Sequence, residues 1–201
     1  MRKKNKKWFH KPGEFKMEKM KIREFMVPID EFPRISNNAS FYEAFMALED
    51  AQKKYLEGKN RQRILLVEDD NGRVVGKISP IDMIRGLEPK FTQVEVEENL
   101  VRFGVSYALK SMQEEVRLWQ TPFSDLCRKA KDVRIKDFTK DSPEKQAVNI
   151  DDRLIKAFNW FVMGRYDSLF VYEGNEIVGL LRFSDVYKKI KETMKECGLD
   201  L

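Results

Sequence analysis

The stretch VVGKISPIDMIRGL, Val74 to Leu87, returns a hundred residues later as IVGLLRFSDVYKKI, Ile177 to Ile190. Each has a β-branched pair, a glycine, two further residues with strand character, and an aspartate six places after the glycine. Asp82 and Asp185 each stand at the opening of an amphipathic stretch. A second pair of echoes precedes them in the same order. KIREFM (Lys21 to Met26) is answered by RIKDFT (Arg134 to Thr139). Two ordered echoes indicate an internal duplication. Glu24 and Gly76 are 52 residues apart, whereas Asp137 and Gly179 are 42 apart, so the first copy is about ten residues longer between its markers.

The same elements are read in both copies. In the first, PRIS (Pro33 to Ser36) is a short strand. The segment from Asn37 to Gly58 is a helix with Ser40 and Glu43 as a capping box and Phe41, Ala44, Phe45 and Leu48 as its inner face. RILLV (Arg63 to Val67) and RVVGKIS (Arg73 to Ser79) form a hairpin, and PIDMIRGL is a short helix with Pro80 near its start. In the second copy QAVNI (Gln146 to Ile150) is the short strand. A helix follows, capped by Asp151 or Asp152, with Leu154, Ala157, Phe158, Phe161 and Val162 inward and Gly164 at its end. SLFVY and EIVGLLR form the hairpin, and FSDVYKKIKETMKE is the closing helix. The ten extra residues fall in DAQKKYLEGKNR, which lengthens the first copy's helix or the loop after it.

Between the copies, VEENLVRFGVSYALKSMQEEVRLW has helical period, with Leu100, Phe103, Tyr107, Met112, Val116 and Trp119 as inner positions. PFSDLCRKAKD is a second short helix with Cys127 on its apolar side, as a core residue. The expected division is a basic tail over 1–20, a first repeat over 21–88, a helical linker over 89–131 and a second repeat over 132–201.

Composition bounds the chemistry. The 201 residues include 42% hydrophobic ones, enough for a core of ordinary size. Charge is high but mixed, with 38 Lys and Arg against 33 Asp and Glu. No run reaches 18 apolar residues, so no membrane-spanning helix is expected. The basic N-terminus lacks the apolar core of a secretory signal. Two separated cysteines, Cys127 and Cys197, suit a reduced, cytoplasmic setting. With one histidine, His10, inside the basic tail, neither a nucleophile–histidine pair nor a zinc site of ordinary spacing can be assembled. GKIS at Gly76 lacks the upstream glycine of a phosphate loop. Neither catalysis nor a resident cofactor is therefore expected. Residues 1 to about 15 are read as a solvated tail that folding does not need, with contact to nucleic acid as the functional alternative.

Two β-α-β-β-α units, each opened by a KIREFM-like segment and closed by glycine, a hydrophobic pair and aspartate, resemble the cystathionine-beta-synthase (CBS) domain pair, or Bateman module. The resemblance covers roughly residues 21 to 88 and 132 to 196. It implies an α+β fold of two repeats in a pseudo-twofold module, with the middle helices inserted, and homodimers of such modules. It also implies a regulatory role: sensing of an adenine nucleotide (AMP, ADP, ATP or a related adenosyl ligand) between the repeats, with the signal passed to a separate protein partner.

In that family the signature runs Gly, two hydrophobics, Ser or Thr, two residues, Asp. The first copy answers it with Gly76, Lys77-Ile78, Ser79 and Asp82. The aspartate accepts from both ribose hydroxyls, a task that suits an acceptor-only carboxylate. The second copy keeps Gly179 and Asp185 but has Arg182 where Ser or Thr is expected. That arginine reaches a phosphate, or it pairs with Asp185 and closes the pocket; the first site is favoured. The pseudo-twofold implies that Ser79 and Asp82 borrow Arg165 and Tyr166, and that Arg182 and Asp185 borrow Arg61 and Arg63. Ile35 and Val148 become adenine neighbours. Two further readings stay open: a structural dimerisation module without ligand, and nucleic-acid binding through the tail. Both aspartates can also be read simply as helix caps.

Overall fold

A computed structural model of the chain describes residues 16–59, 62–87, 123, 126–139, 142–164 and 166–196. The tail to residue 15, Arg61, Arg165, the middle stretch 88–122 and Cys197 lie outside the described residues. The chain forms two compact units, residues 30–145 and residues 1–29 with 146–201.

In the unit of residues 30–145, β2 (Arg34–Ser36), β3 (Leu65–Glu68) and β4 (Val74–Ile78) form a sheet in the order β2-β3-β4. β2 runs parallel to β3, with Ile35 opposite Val67, and β4 is antiparallel to it, with Gly76 opposite Val67. Leu65, Leu66 and Val67 are all buried. A continuous apolar run is what a central strand covered on both faces requires. The hairpin turn is held by Asp69, whose Oδ1 accepts from Asn71 N and Arg73 N, both at 2.9 Å. Gly72 there takes φ 73°, a left-handed conformation that glycine adopts without steric cost.

Helix α2 spans Phe41–Leu56. Ser40 N donates to Glu43 Oε2 at 2.7 Å while Ser40 Oγ accepts from Glu43 N at 3.2 Å. The Ser40 backbone bond holds the Glu43 carboxyl below the usual carboxylate range. At the other end Gly58 takes φ 70°; its N–H bonds to Tyr55 O, and Lys59 N bonds to Lys54 O. This double bond around a left-handed glycine is the Schellman closure. The inner stripe is Phe41, Ala44, Leu48 and Ala51. Phe45 was expected on it but is 51% exposed, because one residue past Ala44 turns the side chain about 100° off the stripe. Ser40→Ala is expected to destabilise this unit by ~1 kcal/mol, read as a lower urea midpoint at unchanged slope.

α3 (Pro80–Gly86) follows β4. The short helices α4 (Leu126–Asp132) and α5 (Ile135–Phe138) complete the unit. Cys127 is exposed and α4 buries none of its residues, which corrects its reading as core. Phe138 instead packs on Phe41, ring centroids 6.0 Å apart, in the core with Ile78, Met83 and Ile135.

The other unit has the sheet order β1-β7-β6-β5, from β1 (Val27–Pro28), β5 (Ala147–Asn149), β6 (Ser168–Glu173) and β7 (Glu176–Arg182). It also contains the short α1 (Lys16–Lys19), α6 (Leu154–Met163) and α7 (Phe183–Glu196). Leu154, Ala157 and Phe161 are buried in its core, whereas Val162, expected with them, is 68% exposed. The N-cap of α6 is Arg153, not Asp151 or Asp152. Asp152 instead accepts from Asn149 N and pairs with Lys156, and Asp151 holds Lys21 and Arg23. Arg23, then Lys21, keep the Asp151 carboxyl below its ordinary value.

The duplication is written in hydrogen bonds. Ile22 N to Asp152 O, Arg23 N to Ile150 O and Leu154 N to Met20 O are matched by Ile135 N to Ala39 O, Lys136 N to Asn37 O and Phe41 N to Val133 O. The isolated bridges Lys21–Arg153 and Arg134–Ser40 match as well. Each opening segment thus closes the body of the other copy. Both β3 and β6 break register directly after the valine that faces the motif glycine, Val67 and Val171. α2 has 16 residues against 10 in α6, so helix takes up much of the first copy's extra length.

Candidate functional site

β4 ends at Ile78, and the chain turns directly into α3 with Ser79 as the residue before Pro80. Proline is pre-set for a first helical position. The sequence SPID then acts as a capping box in miniature. Ser79 N donates to Asp82 Oδ2 at 2.8 Å, and Ser79 Oγ donates to the same oxygen at 2.7 Å. Ser79 O accepts from Asp82 N at 3.0 Å. Ser79 is buried at 6% exposure, so the hydroxyl is held in one place. Asp82 is therefore oriented by its own helix start.

The second copy has the same backbone plan and different chemistry. β7 ends at Arg182 and α7 begins at Phe183, placing Asp185 as Asp82 is placed, third in its helix. Arg182 Nε donates to Asp185 Oδ2 at 2.6 Å, and its Nη2 donates to Oδ1 at 2.7 Å. This is the fork-to-fork pair that guanidinium and carboxylate form best. Arg182 thus lies paired with Asp185, three residues on. Neither side chain is fully buried, at 20% and 29% exposure.

The remaining candidates divide between the units. Ile35 is partly buried on β2, beside the core of its unit. Arg63 is exposed, with its guanidinium 5.6 Å from the centre of the Tyr55 ring. Val148 is buried on β5 opposite Val171. Tyr166 is half-buried against Trp160, ring centroids 6.3 Å apart. Gly164 allows that contact, since a Cβ there would meet Tyr166 Cε2 at 2.5 Å. Arg61 and Arg165 fall outside the described residues. Among the described residues no cluster of His, Cys, Asp or Glu is arranged to hold a metal ion, and no helix is long and apolar enough to cross a membrane. The sequence offers Asp151 or Asp152 as a helix cap but carries no sign of the tie from Asp151 to Lys21 and Arg23; the partners lie 130 and 128 residues away, beyond any local signal.

No protein-family model matches the sequence. No curated protein matches it either. Solved structures do match. The CBS-pair protein CBSX2 from Arabidopsis thaliana is 17% identical, with 87% of this chain and 96% of that one covered, at a TM-score of 0.50. A hypothetical conserved protein of Geobacillus kaustophilus is 14% identical, with 86% and 97% covered, at a TM-score of 0.50. At such identities the likeness concerns the fold, and it coincides with the doubled β-α-β-β-α pattern and the matched hydrogen bonds described above. The chain folds as a tandem pair of cystathionine-beta-synthase domains, an α+β fold built from two copies of one unit.

Proposed function

We propose that this chain is a non-enzymatic regulatory module that binds an adenine nucleotide through Ser79 and Asp82. The observation that carries the reading is the Ser79–Asp82 pair itself. The copy with the full motif holds its carboxylate in a fixed orientation at a helix start, as recognition of a vicinal diol requires. Fixed acceptors bind better than mobile ones because less ordering is left to be done on association. Arg165, Tyr166, Ile35 and Val148 are the further ligand contacts that this reading carries. Arg182, Asp185, Arg61 and Arg63 belong to the second position. On this reading the output passes to a protein partner.

A second reading, homodimerisation, has an observation of its own. Tyr42, Phe45, Ile81 and Ile84 on α2 and α3 are each about half exposed. Large apolar side chains left on a surface favour burial against a partner. The two readings are compatible, and a nucleotide-binding homodimer satisfies both.

Titration calorimetry with AMP and ATP tests the ligand reading. Binding is expected, and a nucleotide at about a hundred times its Kd should stabilise the fold by ~2.7 kcal/mol in thermal melts. If AMP, ADP, ATP and S-adenosylmethionine all leave the melt unchanged and release no heat, nucleotide sensing is wrong. Homodimerisation then stands alone, to be checked by sedimentation equilibrium.

A further inference from the structure

We propose that Arg182 closes the second ribose-anchoring position from within, so that the chain takes up one adenine nucleotide and not two. The inference rests on the nucleotide reading of Ser79 and Asp82 and concerns what differs between the copies. The two aspartates occupy the same place, third residue of the helix that follows the last strand of the hairpin. In the first copy the residue three before the aspartate is a serine, whose two donors converge on one carboxylate oxygen, Oδ2. In the second it is an arginine, whose fork engages both oxygens, Oδ2 through Nε and Oδ1 through Nη2.

The charge and reach of that arginine bear on a diol directly. Two vicinal hydroxyls need carboxylate acceptors aimed at them. A bidentate guanidinium already lies in the plane of both oxygens and cannot be displaced without leaving two charges partly desolvated. The pair is local, at i and i+3, so it forms whenever α7 forms and needs no ligand to organise it. The side chains are only about a quarter exposed, which limits screening by water and salt. Arg182 therefore acts as a fixed internal occupant of the place a ribose would take.

Titration calorimetry with ATP and AMP on the full chain decides this by stoichiometry. Wild type is expected to bind one nucleotide per chain. Arg182→Ser, which restores the residue type of the first copy, is expected to bind two. Asp82→Ala combined with Arg182→Ser is expected to bind one, at the opened position, and adding Asp185→Ala removes it. Arg182→Thr repeats the test if the serine variant is unstable, since a β-branched residue suits the end of a strand. Wild type with two sites, one of them lost on Arg182→Ser, makes the arginine a phosphate ligand and overturns the proposal. So does one site in wild type that survives Asp82→Ala and disappears with Asp185→Ala. Opened variants that gain no site overturn it too. Wild type without binding but Arg182→Ser with one site upholds the closure while removing Ser79 and Asp82 as the ligand pair.

Discussion

Asp82→Ala is expected to lower affinity for AMP and ATP by about tenfold or more and to leave the fold cooperative. A hydrogen bond to a charged acceptor contributes roughly 1.5–3 kcal/mol, and a ribose diol can make two. Loss of even one corresponds to about a factor of ten in Kd. The structure adds a second role that the experiment has to separate. Asp82 Oδ2 accepts from Ser79 N and Ser79 Oγ, so the same carboxylate caps α3. Removing it should also cost ~1 kcal/mol of stability. If capping were its whole contribution, Asp82→Ala would melt earlier and bind equally well. Asp82→Asn distinguishes the two roles. Its amide oxygen still accepts from Ser79 N, but the charge is gone and one acceptor has become a donor. Ligand anchoring predicts that Asn binds nearly as poorly as Ala while recovering stability. Equal affinities for wild type, Ala and Asn would remove Asp82 from the ligand site.

What could be read from the sequence was whatever is local. Ser40 and Glu43 are three residues apart, and their reciprocal cap forms as the spacing predicts. The hairpin glycines Gly72 and Gly174 stand where the turns need positive φ. The Arg182–Asp185 pair is also local, joining residues i and i+3 at a helix start, which are neighbours. The exchange of opening segments was not legible. Ile22 bonds to Asp152 and Ile135 to Ala39, contacts between segments far apart in sequence that leave no local pattern. The cap of α6 failed for a related reason. Asp151 satisfies the charges of Lys21 and Arg23, which arrive from the other copy's opening segment, and Arg153 is left at the N-cap. Phe45 and Val162 failed differently: apolar residues beside a helical stripe look like part of it until the partner surface defines its width. Phe45 is one of the exposed side chains on which the dimer reading rests.

That exchange carries the second large effect, expected at Gly179. The two motif glycines look equivalent in sequence, yet their surroundings differ. A Cβ on Gly179 would meet Val27 O at 2.3 Å and Met26 Cε at 3.0 Å, because β1 pairs across it with Pro28 opposite. The first of these is a backbone atom in a paired strand and cannot swing aside as a side-chain end can. A Cβ on Gly76 would meet nothing nearer than Val67 Cβ at 3.8 Å, an ordinary contact. Gly179→Ala must therefore push β1 off β7, and with it strain the segment that carries Ile22, fully buried in the core of that unit. The expected loss is ~3 kcal/mol, the upper end of what overpacking costs. Gly76→Ala should be neutral or stabilising by ~0.5 kcal/mol, since alanine restricts the unfolded chain and meets no clash. Urea unfolding of both variants measures the difference, and amide exchange at Leu180 should quicken in Gly179→Ala alone, as the β1–β7 pairing loosens. Equal midpoints for the two variants would mean that β1 does not lie on Gly179 in solution, and that the opening segment does not close the other copy's body.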